Sequence, residues 1–280
     1  MEIIIALVLG LVQGIAEFLP ISSSGHLALI QNINKTVFGQ GSFTPSLTFD
    51  IFLHIATLFS VFVVYKKDVQ GLLNALIETI RDIFTGKFKL NPEDESKKLL
   101  HMLFVTTLFL VPIALVSDFV ENAFSSLLII GIMLFLTGVL TFLTDKVKLG
   151  DITQKDVNIK NAWVVGIFQM FAIMPGLSRS GSSIFGGVLS GMKRDFAVKY
   201  SFLASIPAIL AATLFQIISI SKEGMDFNLL PYLVGGLAAF ISGIFAIGIV
   251  KKLATKYKFK KFSYYCFFVS IVTLIIYFRG

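Results

Sequence analysis

The residues with the chemistry to act on a substrate lie in two short stretches. The first, Gln13-Gly-Ile-Ala-Glu17-Phe-Leu-Pro-Ile-Ser22-Ser23-Ser24-Gly25-His26, sets a carboxylate, three consecutive hydroxyls, a glycine and an imidazole inside an apolar segment. The second, Pro175-Gly176-Leu-Ser178-Arg179-Ser180-Gly181-Ser182-Ser183, sets an arginine among hydroxyls. A carboxylate beside serines is a base beside candidate nucleophiles. An arginine among free backbone N–H groups, where a half-helix opens, resembles an anion cradle for phosphate oxygens. Each residue also has a plainer reading. Arg179 paired with Glu17 would hold two hairpins together, small serines let membrane helices approach closely, and His26 alone decides nothing. His54 and His101 stand singly in apolar spans and read as structural or interfacial; Asp50 lines a cavity mouth or caps a helix.

The elements that must position these residues are membrane helices. Hydrophobic residues make up 55% of the 280, charged residues 15%, and the mean hydropathy is +0.84, a balance that fits a polytopic membrane protein and no ordinary soluble domain. Met1-Glu2 precedes the first apolar run without a basic leader or a small-residue cleavage pattern, so that run is expected to stay in the mature protein. One cysteine, Cys266, excludes an internal disulfide and a Cys cluster. The formal charge of +7 is spread along the flanks of hydrophobic spans, which points to lipid topology and no nucleic-acid partner. The 29 phenylalanines read mostly as lipid-facing bulk.

In chain order, residues 1–19 and 26–33 form two apolar halves around Pro20 and the Ser22–Gly25 break. Neither half comfortably reaches the ~20 residues a spanning helix needs, so they read as a re-entrant hairpin, whose irregular backbone must be buried or line a wet cavity. An uncharged loop over about 36–47 leads to a span at 47–65, and helical spacing over 71–83 predicts an interfacial helix. Spans follow at about 100–117 and 123–144. A second broken segment covers 161–192, and further spans cover 196–220, 229–250 and 262–278. Each half thus holds one hairpin and three spans, an odd number that inverts the second half. With 66–98, 145–160, 193–199 and 251–261 on the cytoplasmic side, 20 of the 24 Lys and Arg lie inside; Lys35, Lys222 and Arg279 fall outside, and Arg179 lies at membrane depth. The expected fold is an all-α polytopic integral membrane protein forming a single membrane domain. It has two inverted-topology repeats, about 1–144 and 161–280, joined by a cytoplasmic linker at 145–160.

An internal repeat agrees. A shift of 156 places Gly10, Gln13, Ala16, Ser22, Ser24 and Gly25 on Gly166, Gln169, Ala172, Ser178, Ser180 and Gly181, and Ala56-Thr-Leu-Phe59 on Ala212-Thr-Leu-Phe215. Inverted repeats with broken helices set their site near the midplane, at the repeat interface. The positions that differ are informative: Glu17 falls on Ile173, Ser23 on Arg179 and His26 on Ser182. One half brings base and nucleophile candidates; the other brings the cation.

The run from Gln13 and Glu17 through Phe-Leu-Pro-Ile-Ser-Ser-Ser-Gly-His26, together with Pro175-Gly-Leu-Ser-Arg-Ser-Gly-Ser-Ser183, resembles the undecaprenyl-diphosphate phosphatase family, also called bacitracin-resistance proteins. The resemblance covers essentially the whole chain. Two positions depart from the commoner pattern: Gln13 stands where the family often has glutamate, and Ser183 stands where threonine is usual, which keeps a hydroxyl. The resemblance implies hydrolysis of undecaprenyl diphosphate to the monophosphate and inorganic phosphate, which recycles the lipid carrier of cell-wall polymers. The setting it implies is a multi-pass protein of the bacterial plasma membrane, with the polyprenyl diphosphate and membrane lipids as partners and a homodimer as an open assembly. It assigns catalysis to Glu17, Ser23, His26 and Arg179, with Ser23 or His26 as nucleophile, or a water activated by Glu17 and His26. It assigns substrate contacts to Gln13, Ser22, Ser24, Gly25, Gly176, Ser178, Ser180, Gly181 and Ser183. It also brings in a divalent cation, Mg²⁺ or Ca²⁺, bridging Glu17 and the diphosphate, although the sequence shows no carboxylate cage for one. The rival from another class is an inverted-repeat transporter or flippase of a polyprenyl phosphate lipid, an architecture that carriers share.

Overall fold

The computed structural model describes residues 2–38, 47–112, 117–148, 150–220, 229–256 and 258–279. These fold into twelve helices. The first two, α1 (Glu2–Phe18) and α2 (Ser23–Phe38), flank the first Ser-rich break. Then come α3 (Leu47–Val64), α4 (Lys66–Phe84), α5 (Glu95–Leu108), α6 (Ser117–Phe124) and α7 (Leu127–Thr144). The second break lies between α8 (Ile159–Phe171) and α9 (Arg179–Leu189), and α10 (Arg194–Ile220), α11 (Leu229–Thr255) and α12 (Lys260–Arg279) complete the chain.

Four of these, α7, α10, α11 and α12, are long and apolar enough to cross a membrane, and α3 with α4 makes a fifth if the bent pair counts as one span. The sequence reading expected six full spans. The difference lies mainly at 100–117, where the helix starts early and stops early. Asp94 caps α5 by accepting from the Lys97 N–H at 2.8 Å, so the helix takes in the polar run Glu95–Lys98. It ends at Leu108, ahead of Pro112, which cannot continue a helix. The expected turn near 118–121 is the short helix α6, and residues 113–116 lie outside the described residues. The loop expected from 36 likewise starts later, because no Gly or Pro interrupts the chain between Gly25 and Gly39 and α2 continues to Phe38; the rest of that loop, 39–46, is outside the described residues.

The helix expected over 71–83 is present and longer than expected, as α4. It leaves α3 at Tyr65 through a bend of 98°. Leu72, Ala75 and Thr79 are buried on one face of α4, while Leu73, Ile77, Ile80, Ile83 and Phe84 are exposed, the arrangement of a helix lying in a membrane surface. His101 of α5 holds it down: Nε2 meets the Thr79 hydroxyl at 3.0 Å and Nδ1 the Leu90 carbonyl at 3.1 Å. That is the structural role the sequence suggested for this histidine.

Helix α1 packs along α11 with almost no side chain between them. A Cβ on Gly10 would fall on the Gly235 carbonyl, and one on Gly14 on the Ala239 carbonyl and the Ser242 hydroxyl. Lipid supplies no hydrophobic force between helices, so backbone approach of this kind is what joins them. The main core lies between α3, α5, α8, α9, α10 and α11, around Phe18, Tyr65, Tyr200 and Phe202. On the far side of α11, Leu233, Leu237, Ile241, Phe245 and Ile249 form an exposed stripe at helical spacing, suited to lipid contact.

Candidate active site

Each Ser-rich break is a helix start. Ser178 caps α9 by accepting from the Gly181 N–H at 3.1 Å, and Ser22 accepts from the Gly25 N–H at 3.2 Å at the head of α2. The Ser22 and Ser24 hydroxyls pair at 3.2 Å, and Ser178 and Ser180 pair at 3.1 Å. The breaks also brace each other. The Ser24 hydroxyl accepts from the Gly176 N–H at 3.4 Å, while the Ser180 hydroxyl donates to the Leu19 carbonyl at 3.1 Å. A Cβ on Gly25 would stand 3.1 Å from the Gly176 Cα, and one on Gly181 would stand 3.1 Å from the Pro20 Cβ. Under the shift of 156 the two glycine contacts exchange, since 25 maps to 181 and 20 to 176, while the serine bonds correspond to within one residue and with donor and acceptor reversed.

Two further helices pin the loops. Thr137 of α7 donates to the Gly176 carbonyl at 2.8 Å and accepts from the Ser178 N–H at 2.9 Å. The Cys266 thiol of α12 lies 3.6 Å from the Pro20 carbonyl. Nothing in the sequence singles out Thr137 among the threonines of an apolar span.

With the loops fixed, α1 delivers Glu17 to their meeting point. Its Oε1 pairs with Arg179 Nη2, and its Oε2 accepts from the Ser23 hydroxyl at 2.8 Å and from the Gln13 amide at 3.1 Å. Gln13, Glu17, Ser23 and Arg179 therefore converge on one carboxylate that is 7% exposed. Arg179 has a second donor group in reserve: Nη1 is buried without a hydrogen-bond partner, as is Gln13 Oε1. A buried guanidinium donor left open beside a carboxylate–serine pair is built to receive an oxyanion.

His54 joins this cluster, contrary to the structural or interfacial role the sequence suggested. Its Nδ1–H donates to the Asp50 carbonyl at 2.8 Å, one helical turn back, which turns Nε2 toward Glu17 Oε2 at 3.8 Å. A single histidine in an apolar span carries no periodic or motif signal. The clue available was its placement four residues after Asp50, both on the inward face of α3. Asp50 Oδ1 is itself buried and unpartnered.

His26 is held away from Glu17. Its Nδ1–H donates to the Ser22 carbonyl at 2.7 Å, so Nε2 is the acceptor for the Tyr265 hydroxyl at 2.7 Å. The two rings lie nearly parallel, 6° apart, with centroids 5.5 Å apart. Ser183 also points elsewhere than expected, donating to the Arg179 carbonyl at 2.7 Å and meeting the Ser201 hydroxyl of α10 at 2.6 Å. Ser22, Ser24, Gly25, Gly176, Ser178, Ser180 and Gly181 build the two loops and their mutual contacts, as described.

The donors do not form a metal cage: among the described residues no three His, Cys, Asp or Glu side chains converge, and both Glu17 oxygens are engaged by Arg179, Ser23 and Gln13. What the arrangement offers is a hydroxyl in contact with a base, next to a guanidinium with open donors.

The chain is similar to known proteins along nearly its whole length. The sequence profile described as bacitracin resistance protein BacA matches residues 6–272. A protein of Alkaliphilus metalliredigens named undecaprenyl-diphosphatase is 40% identical over 275 residues, covering 96% of this chain and 97% of its own. Proteins of the same name from Methanosphaera stadtmanae and Halothermothrix orenii are each 37% identical, each covering 99% of this chain and 98% of their own.

Proposed function

We infer the function from one premise, that the chain belongs to the bacitracin-resistance BacA family: it is a multi-pass membrane hydrolase, an undecaprenyl-diphosphatase, acting on undecaprenyl diphosphate. Relatives of that name occur in archaea as well as bacteria, so a place in the bacterial plasma membrane and in cell-wall recycling is part of the proposal.

The single observation that carries the chemistry is the Glu17 carboxylate shared between the Ser23 hydroxyl and Arg179. Glu17 Oε2 takes the proton of Ser23, and Ser23 Oγ attacks the terminal phosphorus. The bond from that phosphorus to the bridging oxygen breaks, and undecaprenyl phosphate leaves. Arg179, through its open Nη1 and the N–H groups at the head of α9, holds the oxygens on which charge builds, the largest contribution expected in phosphoryl transfer. Water then attacks the phosphoserine, giving inorganic phosphate and restoring Ser23, with Glu17 again handling the proton. Gln13 orients the carboxylate, and His54 tunes its charge from 3.8 Å. His26 acts as a positioning residue, tying the Ser22 carbonyl, and with it the strand of chain bearing Ser23, to Tyr265. The described residues offer no cage for Mg²⁺ or Ca²⁺; such an ion would arrive with the substrate and supply neutralisation of diphosphate charge, and no step runs through it.

The two halves are proposed to be inverted repeats, with hairpins entering from opposite membrane faces. Helix pairing supports this: α1 lies on α11 as α8 lies on α5, α3 lies on α11 as α10 lies on α5, and α7 pairs with α12. A homodimer belongs to the same proposal. The test is phosphate release from undecaprenyl diphosphate by the purified protein and by folded Glu17→Ala and Arg179→Ala variants, with a rapid acid quench to trap phosphate on Ser23. Undiminished release by both variants would overturn the site, and a quench with no phosphoserine would replace Ser23 by water as the attacking group.

A further inference from the structure

The site described above uses the Asp50–His54 end of α3 and the Ser201 region of α10. The other end of α3 encloses a separate feature. At the bend between α3 and α4, an open cavity of about 480 Å³ is bounded by the start of α10 and the end of α11. Lys66, Lys67, Lys199 and Lys251 line it against Asp68 and Asp195, four positive charges against two negative. Lys199 is spoken for, with Nζ at 2.5 Å from Asp68 and 2.9 Å from Gln154. Lys251 Nζ stands 5.0 Å over the ring of Tyr65, and Lys66 and Lys67 open the first turn of α4.

Two more observations concern what the cavity lacks. Tyr65, at the N-cap of α4, makes no side-chain cap, so the first-turn N–H groups of a 19-residue helix face this region without a side-chain acceptor. Tyr65 is 5% exposed, lines the cavity, and its hydroxyl is buried without a hydrogen-bond partner. Tyr65 with its unpartnered hydroxyl, the uncapped start of α4 and the lysines Lys66, Lys67 and Lys251 thus line one cavity and together form a set of donors suited to an acceptor. Such a set suits an anionic ligand rich in oxygen.

We propose that this elbow cavity is a second anion site, distinct from the Arg179 site, that takes a phosphate group on the basic-loop side of the protein. Free phosphate and the headgroup of an anionic lipid share that chemistry, and the cavity opens where both are present, beside an interfacial helix.

The test uses the full-length chain in a neutral detergent, with Arg179→Ala as the background so that binding reports the elbow alone. Equilibrium dialysis with radiolabelled inorganic phosphate reads the free ion, and native mass spectrometry reads retention of phosphatidylglycerol in competition with phosphatidylcholine. One phosphate group per chain is expected to remain bound. Added Lys251→Glu is expected to weaken it by about tenfold or more, the scale of reversing one charge at a charge-assisted contact. Tyr65→Phe keeps the ring and the packing, guards against a folding defect, and is expected to weaken binding by several-fold through loss of one hydrogen bond. Retention of the ion identifies free phosphate as the ligand, and selective retention of phosphatidylglycerol alone identifies the headgroup. Retention of neither, or equal retention in the Lys251→Glu and Tyr65→Phe proteins, overturns the proposal.

Discussion

The two hairpins repeat each other in frame and differ in what they carry. Both begin a helix with a serine cap, pair that serine with the one two residues on, and place a glycine against the other loop. The first adds Glu17 and Ser23; the second has Ile173 and Arg179 in those places. Even the backbone divides the labour. The left-handed residue of the first loop is Ser22 itself, with φ of 72°, whereas the second loop assigns its positive φ of 94° to Gly176 and leaves Ser178 at −70°. A serine in that region is strained where a glycine is not, and strain of this kind gathers at functional sites. In the proposed mechanism the matched serines and glycines are scaffold, and the unmatched Glu17, Ser23 and Arg179 carry the chemistry.

That division is open to attack at several points, the most severe being the unmatched residues. Arg179→Ala is expected to lower kcat for phosphate release by about 10³-fold, the scale of losing a preorganised oxyanion donor. Glu17→Gln, which avoids leaving Arg179 beside a void, should fall in the same range through loss of proton transfer. Ser23→Ala is expected to abolish acid-stable phosphoserine and to cost on the order of 10³-fold in kcat, since nucleophile and proton donor disappear together. The double exchange Ser23→Arg with Arg179→Ser should stay inactive, because Glu17 is not exchanged with them. Recovery of activity would show that the asymmetry is dispensable.

The matched residues predict symmetric damage. Gly25→Ala and Gly181→Ala should each lower stability by about 1–3 kcal/mol, read as loss of thermal stability in detergent, because each Cβ meets the opposite loop at 3.1 Å. A large effect from only one of them would break the equivalence. His54→Ala should reduce kcat by about tenfold, as expected for removing an imidazole a few ångströms from a reacting carboxylate. The subtlest test is one of sign. Ser22→Gly relieves the left-handed strain, worth about 1 kcal/mol, against a cap loss of a few tenths. Ser178→Gly incurs the same cap loss and the same glycine entropy but relieves no strain in return. Thermal stability should therefore rise or hold for the first variant and fall for the second.

Much of this site was legible in the chain because polar residues are costly at membrane depth and so stand out against apolar neighbours. Glu17, Ser23 and Arg179 stand out that way, and the shift of 156 pairs Ser23 with Arg179. His54 is hardly legible as a site residue, because its contact within its own span is a main-chain carbonyl, and the carboxylate it faces is on α1. Thr137 was hidden for the same reason. Its hydroxyl also accompanies the helix by donating to the Met133 carbonyl, an ordinary habit of membrane threonines, and only tertiary contact gives it a second task. Helix ends were read less well than helix existence. Asp94 and Pro112 moved α5 toward the N-terminus of its expected span, and α2 outran its apolar stretch, since hydrophobicity marks where lipid is and caps mark where helices stop.

The bracing between the loops bears on how the protein is made. Synthesis delivers Glu17 and Ser23 to the membrane long before Arg179, and until then Gly25 has no Gly176 to lean on and Ser24 has no N–H to accept. A nascent or truncated chain therefore holds a base and a nucleophile without the group that grips phosphate. On the proposed mechanism, activity therefore requires the second hairpin to be in place.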